Sequence, residues 1–279
     1  MNDAPRQDPD FETGCISHTG KVRTANEDNF ILRPEIGLWA VADGMGGHEN
    51  GALASATVVA ALEAVGAAGS APDLLAMLEA GVLKANDDLR AEIDRRGATM
   101  GATLVCLLIH QRHFACLWSG DSRIYLIRSG RIAQVSRDHT EVQDMVDRGL
   151  LTADEARHSP RRHIITHAIG VHETPELDLE NGEIADGDTF LLCSDGLTEH
   201  ITDAEILAAV EANGAQEACD ALLALTLERG ARDNVTVVIV RYRQGASERT
   251  RWMPNRFARG VATPESTVPE STTPRSTTP

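Results

Sequence analysis

The 279-residue chain has few aromatic residues, 4% of its composition, and no long hydrophobic run. Its longest apolar stretch, residues 102–109, is far shorter than the roughly 20 residues of a membrane-spanning helix. The first ten residues are polar and acidic and contain no hydrophobic signal segment. The sequence therefore predicts a cytoplasmic protein without a membrane span.

The sequence also lacks a cysteine pattern typical of disulfides or metal sites, and it has fewer basic than acidic residues. Its five cysteines form no C-x-x-C motif, and their odd number does not suit a disulfide framework. Against 26 Lys and Arg stand 42 Asp and Glu, which gives a formal net charge of −16. Such a chain offers no basic surface to phosphate backbones, so we expect no nucleic-acid partner.

The composition changes near the C-terminus. From residue 263 onward the chain is almost wholly Thr, Pro, Ser and Glu, with Pro-Glu-Ser-Thr at 264–267 and again at 269–272. This composition cannot bury enough apolar surface to offset the entropy of an ordered chain. We predict an N-terminal extension at residues 1–13, one folded domain at 14–243 and a disordered tail at 244–279.

The order of the predicted elements indicates an α+β fold. Groups of strands alternate with pairs of helices, and the turns between residues 103 and 136 are short enough to permit only antiparallel neighbours. Strands are predicted at 29–33, 38–42, 103–109, 113–119, 123–128, 189–193 and 235–242. Helices are predicted at 51–68, 72–96, 141–148, 203–211 and 215–229. Two antiparallel sheets covered outside by helix pairs are the simplest arrangement.

Short acidic segments stand at several strand ends or in the adjoining turns. They are Asn26-Glu27-Asp28, Asp43-Gly44, Gly120-Asp121-Ser122, Ser194-Asp195-Gly196 and Asp233-Asn234. A single Asp-Gly pair is usually only a turn, but Asp43 and Asp195 each follow closely on a dense apolar run. Clustered carboxylates need a cation, and oxygen ligands favour Mg²⁺ or Mn²⁺. Two such ions suit phosphate-ester hydrolysis, which is the first hypothesis.

Two further features surround these segments. Arg23 lies four residues before Glu27, and a guanidinium is suited to bidentate phosphate recognition, although alone this spacing would indicate a surface ion pair. The loop from Asp43 to His48 reads D-G-M-G-G-H and lacks both the third glycine of a dinucleotide motif and the G-K-[S/T] of a P-loop. An aspartate at the front of this loop favours a cation, with the Gly44 carbonyl as a further ligand.

Seven motifs follow one another across residues 14–242. They read R-T-A-N-E-D, A-D-G-M-G-G-H, G-A-T-L, S-G-D-S-R-I-Y-L, D-H-T, C-S-D-G-L and R-D-N-V-T. Together they closely resemble bacterial type 2C (PPM) metal-dependent protein serine/threonine phosphatases, and in loop details the subgroup that accompanies type VI secretion regulators. The resemblance implies a four-layer αββα sandwich and makes residues 14–243 the catalytic domain.

The resemblance also implies a set of metal ligands. By position they are Glu27, Asp43, the Gly44 carbonyl, Asp121, Asp195 and Asp233. Asp43 would bridge two Mn²⁺ or Mg²⁺ ions, Asp195 and Asp233 would complete the first, and Glu27 with Gly44 would hold the second. A third, weaker ion would lie between Asp121 and Asp195. A metal-activated water would then hydrolyse phosphoserine or phosphothreonine without a phosphoenzyme.

Four other residues receive roles from the resemblance. Arg23 corresponds to the phosphate-binding arginine, and Asp28 and Asn234 to residues that support the ligands by hydrogen bonds. Eukaryotic relatives place a histidine where this chain has Met45, so His48 is the nearest candidate for the acid that protonates the leaving oxygen. His48 could equally cap the following helix or bind substrate. His158 and His163 are interpreted as solvated or core histidines rather than metal ligands.

Three other classes of protein share part of this sequence pattern. A phosphatase of small metabolites would use the same metals, whereas a silent binding module would have lost ligands, and none is missing here. A partner-switching regulator would carry a sensor domain, for which residues 1–13 leave no room. The sequence favours a monomeric hydrolase that acts on phosphorylated proteins and opposes a bacterial Ser/Thr kinase, with the kinase or its targets as partners.

Overall fold

The computed structural model describes residues 11–47 and 49–243. The predicted tail at 244–279, residues 1–10 and His48 lie outside the described residues. The first strand begins at Phe11, ahead of the predicted domain start at residue 14. No helix in the described ranges combines the length and the apolar character needed to cross a membrane. The five cysteines are free thiols.

Two antiparallel sheets lie at the centre of the fold. The first has the order β1-β11-β10-β7-β8, with strands β1 (Phe11–His18), β7 (Arg123–Arg128), β8 (Arg131–Gln134), β10 (Thr189–Cys193) and β11 (Val235–Tyr242). The second has the order β2-β3-β5-β6-β9, with strands β2 (Asp28–Arg33), β3 (Leu38–Met45), β5 (Leu104–His110), β6 (His113–Ser119) and β9 (Asp178–Glu183). A short strand, β4 (Gly101–Ala102), pairs with the end of β3.

Helices cover the outer face of each sheet. The second sheet carries α1 (Glu49–Glu63) and α2 (Ala71–Arg96), whereas the first carries α5 (Asp195–Thr198), α6 (Asp203–Ala212) and α7 (Ala215–Glu228). Two short helices, α3 (Glu141–Asp147) and α4 (Ala153–His158), lie in the connection between β8 and β9, and a 3-10 turn spans Pro34–Ile36. The helix ends follow local chemistry. Ser70 accepts from the Asp73 amide at the start of α2, and Gly97 ends that helix in the left-handed conformation.

Strand β11 shows why the central strands read as continuous apolar runs. Side chains alternate between the two faces of a strand. Val238 and Val240 pack between the sheets, and Val237 and Ile239 pack under the helices. Both faces are buried, so no polar alternation is left. The predicted α+β sandwich of four layers is confirmed.

The sequence missed the outer strands β1, β8 and β9. Strand β9, for example, reads D-L-E-N-G-E and is mostly exposed at the edge of its sheet. These three edge strands bury few side chains, so they lack the hydrophobic pattern from which strands are recognised. The predicted strands, which include the edge strand β2, agree with the structure to within a few residues.

Candidate active site: a carboxylate cluster at one end of the sandwich

The acidic segments meet at one end of the two sheets. Asp28 begins β2 and Asp43 lies near the end of its antiparallel neighbour β3. Asp121 lies between β6 and β7, and Asp195 follows the end of β10. Asp233 comes just before β11. Antiparallel pairing brings these strand ends together, although the segments are far apart in the sequence.

Most of the predicted site residues line one cavity of about 250 Å³. Eight predicted site residues line it: Arg23, Glu27, Asp43, Gly44, Asp121, Asp195, Asp233 and Asn234. Asp28 lies behind this lining, where its Oδ2 accepts a hydrogen bond from the Ser194 hydroxyl at 2.8 Å. The structure thus brings together every predicted site residue that it describes.

Asp43 is the electrostatic centre of the cluster. It keeps partial solvent contact through the cavity but is densely surrounded by protein atoms. Desolvation is the main reason why its pKa lies well above the usual range of an aspartate, and the carboxylates of Asp28, Asp195, Asp121 and Asp233 raise the pKa further.

Asp28 and Asp121 are perturbed in the same direction. Burial raises the pKa of Asp28 to about 7, with further contributions from Asp195 and Asp233. Burial likewise raises the pKa of Asp121 to about 8, with Asp195 as the next cause. Each of these carboxyl groups loses water and meets neighbours of its own charge, which is a destabilising arrangement without a cation.

Glycines let Glu27 and the Gly44 carbonyl converge. A methyl group added to Gly51, in the first turn of α1, would lie 1.8 Å from Glu27 Oε2 and 2.8 Å from the Gly44 carbonyl oxygen. The Gly44 amide also donates to the Glu27 carbonyl at 3.2 Å. A side chain at position 51 would require Glu27 and the Gly44 carbonyl to shift, so Gly51 shapes this part of the cavity. Gly51 lies outside the motifs from which the site was predicted.

Asn234 fastens the loop that carries Arg23 and Glu27. Its Oδ1 accepts from the Glu27 amide at 2.8 Å, and its Nδ2 donates to the carbonyls of Thr19 and Ala25, each at 2.9 Å. One amide side chain therefore satisfies three backbone groups of the β1–β2 connection. Asn234 therefore holds the backbone of Glu27 in place, and its support of a metal ligand stays a prediction.

Arg23 contacts a predicted ligand in this structure. Its Nη2 lies 2.6 Å from Asp233 Oδ2, and this hydrogen bond is the main reason why the arginine pKa is raised. Half of the Arg23 side chain is exposed. The guanidinium therefore reaches the cavity from solvent, and it places positive charge where the sequence predicts a cation.

Two residues that motif reasoning missed hold Asp43 from behind. The Asp43 amide donates to Thr103 Oγ1 at 3.1 Å, and the Thr103 amide donates to the Asp43 carbonyl at 2.8 Å. The Thr103 hydroxyl also lies 2.7 Å from that of Ser122, and both residues are buried. Thr103 lies in the G-A-T-L motif and Ser122 in the G-D-S motif, so their positions in these motifs could have indicated a role at the site.

His163 lies nearer to the site than predicted. Its Nδ1 is 3.7 Å from Asp195 Oδ2 and its Nε2 is 3.1 Å from Glu199 Oε1. The contact with Asp195 is the first cause of its raised pKa. His163 is thus neither core nor simply solvated. The ring of His158 instead contacts a carbonyl of its own helix, that of Asp154, at 2.8 Å.

The donor atoms around the cavity are oxygens, although they do not yet form a closed metal site. In the described ranges, no group of three or more His, Cys, Asp or Glu side chains is spaced to hold an ion as it stands. The chemistry nevertheless fits hard cations, because the donors are carboxylates and a carbonyl. Asp28 Oδ1 is buried without a hydrogen-bond partner, and Arg23 already binds Asp233. Arg23 would compete with an ion for Asp233, and ion binding would require the carboxylates to draw closer.

A double-sheet sandwich with oxygen donors gathered at one end agrees with the class that the seven motifs resemble, the αββα metal-dependent phosphatases. A family model described as "Protein phosphatase 2C" matches residues 16–144. The serine/threonine phosphatase stp of Listeria innocua is 31% identical over 233 residues, which are 79% of this chain and 92% of that protein. The chain belongs to the protein phosphatase 2C family.

Two other relatives are more similar in sequence. Serine/threonine protein phosphatase PstP of Mycobacterium tuberculosis is 40% identical over 225 residues, which are 80% of this chain but only 43% of PstP. This chain therefore matches less than half the length of that relative. A solved PstP catalytic domain in complex with two manganese ions has a TM-score of 0.75 and 36% identity, and the match covers 84% of this chain and 99% of that one.

The other similar protein is PppA, whose structure is described as that of a key regulatory component of T6SS in Pseudomonas aeruginosa. Its structure has a TM-score of 0.78 and 39% identity, and the match covers 83% of this chain and 97% of that chain. All three similarities span most of the described residues, and the fold that the sequence predicts is therefore shared along its length.

Proposed function

We propose that this protein hydrolyses phosphoserine and phosphothreonine in proteins with the help of two Mn²⁺ or Mg²⁺ ions. The observation that carries the proposal is the single cavity lined by Arg23, Asp43, Asp195 and Asp233 in a protein phosphatase 2C fold. The similar PstP catalytic domain, in complex with two manganese ions, supports the choice of metal.

The proposed metal ligands are all residues that line this cavity. Asp43 is central because four other carboxylates act on it, and it is assigned the bridging position. Asp195 and Asp233 face it from the first sheet, and Glu27 and the Gly44 carbonyl converge beside Gly51. Asp121, next to Asp195, is assigned a third, weaker site. When bound, the ions supply charge neutralisation and an activated water.

The side chains of this protein bind and orient the phosphate. Arg23 is exposed enough to move from Asp233 to an incoming phosphate, to which a guanidinium can donate two parallel hydrogen bonds. Asn234 fixes the loop on which Arg23 stands, and Thr103 fixes the backbone of Asp43. These contacts hold the reacting groups in place, which is a large share of catalysis in phosphoryl transfer.

The proposed partners and cellular location are supported by fewer observations than the reaction. The named bacterial relatives are serine/threonine phosphatases, which supports a phosphoprotein substrate and an opposing Ser/Thr kinase. A monomer and a cytoplasmic location stay predictions from the sequence. So does the type VI secretion subgroup, since PppA and PstP are nearly equally similar to this chain.

The test is hydrolysis of a phosphothreonine peptide by the purified full chain with Mn²⁺. Activity should disappear with excess EDTA and return with added Mn²⁺. Asp43→Asn and Asp195→Asn should each lower kcat/KM by about 100-fold or more, the usual cost of removing an electrostatic catalytic group. Asp87→Asn, an exposed change on α2 away from the cavity, is the matched control.

Two outcomes would contradict the proposal. Full activity in EDTA would exclude the metal-dependent mechanism. A chain that hydrolyses small phosphate esters but no phosphoserine or phosphothreonine peptide would still fit the metal-dependent mechanism. It would contradict a protein substrate and favour a phosphatase of small metabolites.

A further inference from the structure

The turn that carries Asp121 crosses from one sheet to the other. Strand β6 ends at Ser119 in the second sheet, and β7 begins at Arg123 in the first. Because these two strands are not neighbours in a sheet, pairing between them does not close the turn at residues 120–122. Asp121 is buried and lines the catalytic cavity, so the direction of its carboxylate depends on contacts made to the turn from outside.

Thr103 holds one side of this turn. Its hydroxyl lies 2.7 Å from that of Ser122. Gly120 has a φ of +110°, and a Cβ there would lie 2.6 Å from Thr103 Cγ2. The turn is therefore packed closely against Thr103, in a conformation that glycine adopts without strain.

His139 holds the other side of the turn through the amide and the carbonyl of Gly120. The Gly120 amide donates to Nδ1 of the His139 ring at 3.2 Å, and the His139 amide donates to the Gly120 carbonyl at 2.9 Å. That carbonyl belongs to the peptide bond that enters Asp121. His139 thus fixes the peptide groups on both sides of Gly120, directly before the carboxylate.

Asp178 fixes the tautomer and the direction of the His139 ring. Because Nδ1 accepts from the Gly120 amide, the proton of the neutral ring is carried by Nε2. Nε2 lies 3.2 Å from Asp178 Oδ2 at the start of β9, and the ring of His167 packs edge-on at a centroid distance of 4.7 Å. A chain of hydrogen bonds therefore runs from Asp178 through the ring to the backbone beside Asp121.

The residue before His139 holds the far end of the turn. Asp138 binds Arg123, whose Nη2 lies 2.6 Å from Asp138 Oδ2. Arg123 directly follows the turn, whereas Gly120 begins it. The D-H-T motif thus contacts both ends of the turn, which gives a physical role to a motif whose residues are not metal ligands.

We propose that His139 is a positioning residue that orients Asp121 toward Asp195 and thereby sets the affinity of the third, weaker metal site. The inference rests on the proposed function, which assigns that site to Asp121 and Asp195. His139 is not among the residues that line the catalytic cavity, so it acts through Asp121 and does not touch the substrate. Asp121 is assigned to the third site alone, so a displaced turn should weaken that site selectively.

The experiment measures Mn²⁺ binding to the metal-free full chain by isothermal titration, with His139→Leu and His139→Asn as a matched pair. The two new side chains have the same branched shape, but the Asn oxygen can accept from the Gly120 amide as Nδ1 does. His139→Leu should weaken the third site by about tenfold, within the usual effect of changes beside metal ligands, and leave the two tighter sites unchanged. His139→Asn should restore most of that affinity.

Asp178→Ala is a second variant, which keeps His139 but frees its ring. Asp178 is exposed, so this variant remains informative if His139→Leu does not fold, and it should weaken the third site by a smaller factor. In a chain with Asp121→Asn, which lacks the third-site carboxylate, neither change should alter Mn²⁺ binding further, because both act through Asp121.

Hydrogen exchange of the metal-free proteins gives a readout without metal. The amides of residues 120–122 should exchange faster in His139→Leu than in His139→Asn, because only the Leu variant leaves the Gly120 amide without its acceptor. His113→Leu is the matched control, since His113 is an exposed histidine at the opposite end of β6. It should change neither Mn²⁺ binding nor exchange.

Three outcomes would overturn the inference. The first is an unchanged third site in folded His139→Leu or Asp178→Ala, and the second is an equal loss at all sites that His139→Asn does not restore. The third is an unmodified chain that hydrolyses the phosphothreonine peptide and binds two Mn²⁺ ions but no third, which would leave the proposed reaction standing. A chain that binds no Mn²⁺ and hydrolyses no phosphopeptide would overturn the proposed function and this inference with it.

Discussion

Asp28 lies directly opposite Asp43 in the antiparallel pairing of β2 with β3. Side chains of directly paired residues project to the same face of the sheet, and like charges in that position are destabilising. Desolvation raises the pKa of both carboxyl groups. The fold thus holds two acidic groups together in the proposed metal site, at a cost that a bound cation would offset.

The first prediction concerns this pair. Asp43→Asn removes one of the opposed charges, so without metal it should stabilise the protein by about 1 kcal/mol, the upper range for such a pair. In a domain of this size that corresponds to a rise in Tm of about 2–4 °C in EDTA. Because Asp43 is assigned the bridging position, added Mn²⁺ should raise the Tm of the unmodified chain but not that of the variant.

Thermal unfolding with EDTA and with Mn²⁺ measures both effects, and Asp87→Asn serves as the control. A variant that loses stability in EDTA while it keeps the full response to Mn²⁺ would show that Asp43 is neither opposed by Asp28 nor a ligand.

The second prediction concerns Gly51. In Gly51→Ala the new methyl group would overlap Glu27 Oε2 and press on the Gly44 carbonyl, so Glu27 must move away. We expect Mn²⁺ affinity to fall by about 10- to 100-fold, as for other changes beside metal ligands. Isothermal titration of the metal-free protein with Mn²⁺ measures the affinity independently of turnover.

Gly81→Ala is the matched control for this variant. Gly81 is also a helical glycine, and a Cβ there would meet only ordinary to slightly tight contacts, the nearest at 3.3 Å. Both changes gain up to about 1 kcal/mol of helix propensity. Equal Mn²⁺ affinity in the two variants would mean that Gly51 has no part in shaping the site.

The inner layers of the fold and the carboxylates could be predicted because their signals are local. Strand β10 is a dense apolar run that ends just before Asp195, and a buried strand followed by an acidic residue is visible in the sequence. Strand β9 could not be predicted, since its charged residues bury little at the sheet edge.

The contacts behind the site could not be predicted because they join residues that are distant in sequence. Glycine is common in turns and helix ends, so nothing local showed that Gly51 must leave room for Glu27. The contact of His163 with Asp195 likewise depends on how the α3–α4 segment folds back. Such relations depend on the tertiary fold, which local patterns do not encode.

The third prediction concerns Thr103. Thr103→Val keeps the shape but leaves the Asp43 amide and the Ser122 hydroxyl without their partner, so we expect a loss of about 1–3 kcal/mol in the free energy of unfolding. Thr103→Ser keeps the hydroxyl and should lose less. Urea unfolding of the metal-free proteins gives both values. A valine variant as stable as the unmodified chain would contradict this role of the hydroxyl, whereas any loss in the serine variant measures the methyl group, which packs near Gly120.

The fourth prediction tests His48 as the proton donor, a role proposed from the sequence for a residue outside the described ranges. An alkoxide leaving from phosphothreonine needs a proton, whereas an aryl oxide leaving from para-nitrophenyl phosphate does not. If His48 is the acid, His48→Ala should lower kcat on the phosphopeptide by about 100-fold, within the usual contribution of general acid catalysis, and affect the aryl ester little.

His158→Ala controls for the loss of a histidine as such, since the ring of His158 contacts only a carbonyl of its own helix among its described hydrogen bonds. Equal losses on both substrates would instead place His48 in phosphate binding or at the start of α1, because either role serves every phosphate ester alike. A loss confined to the phosphopeptide, with KM unchanged, distinguishes proton donation from binding, since a group that acts only in the transition state changes kcat.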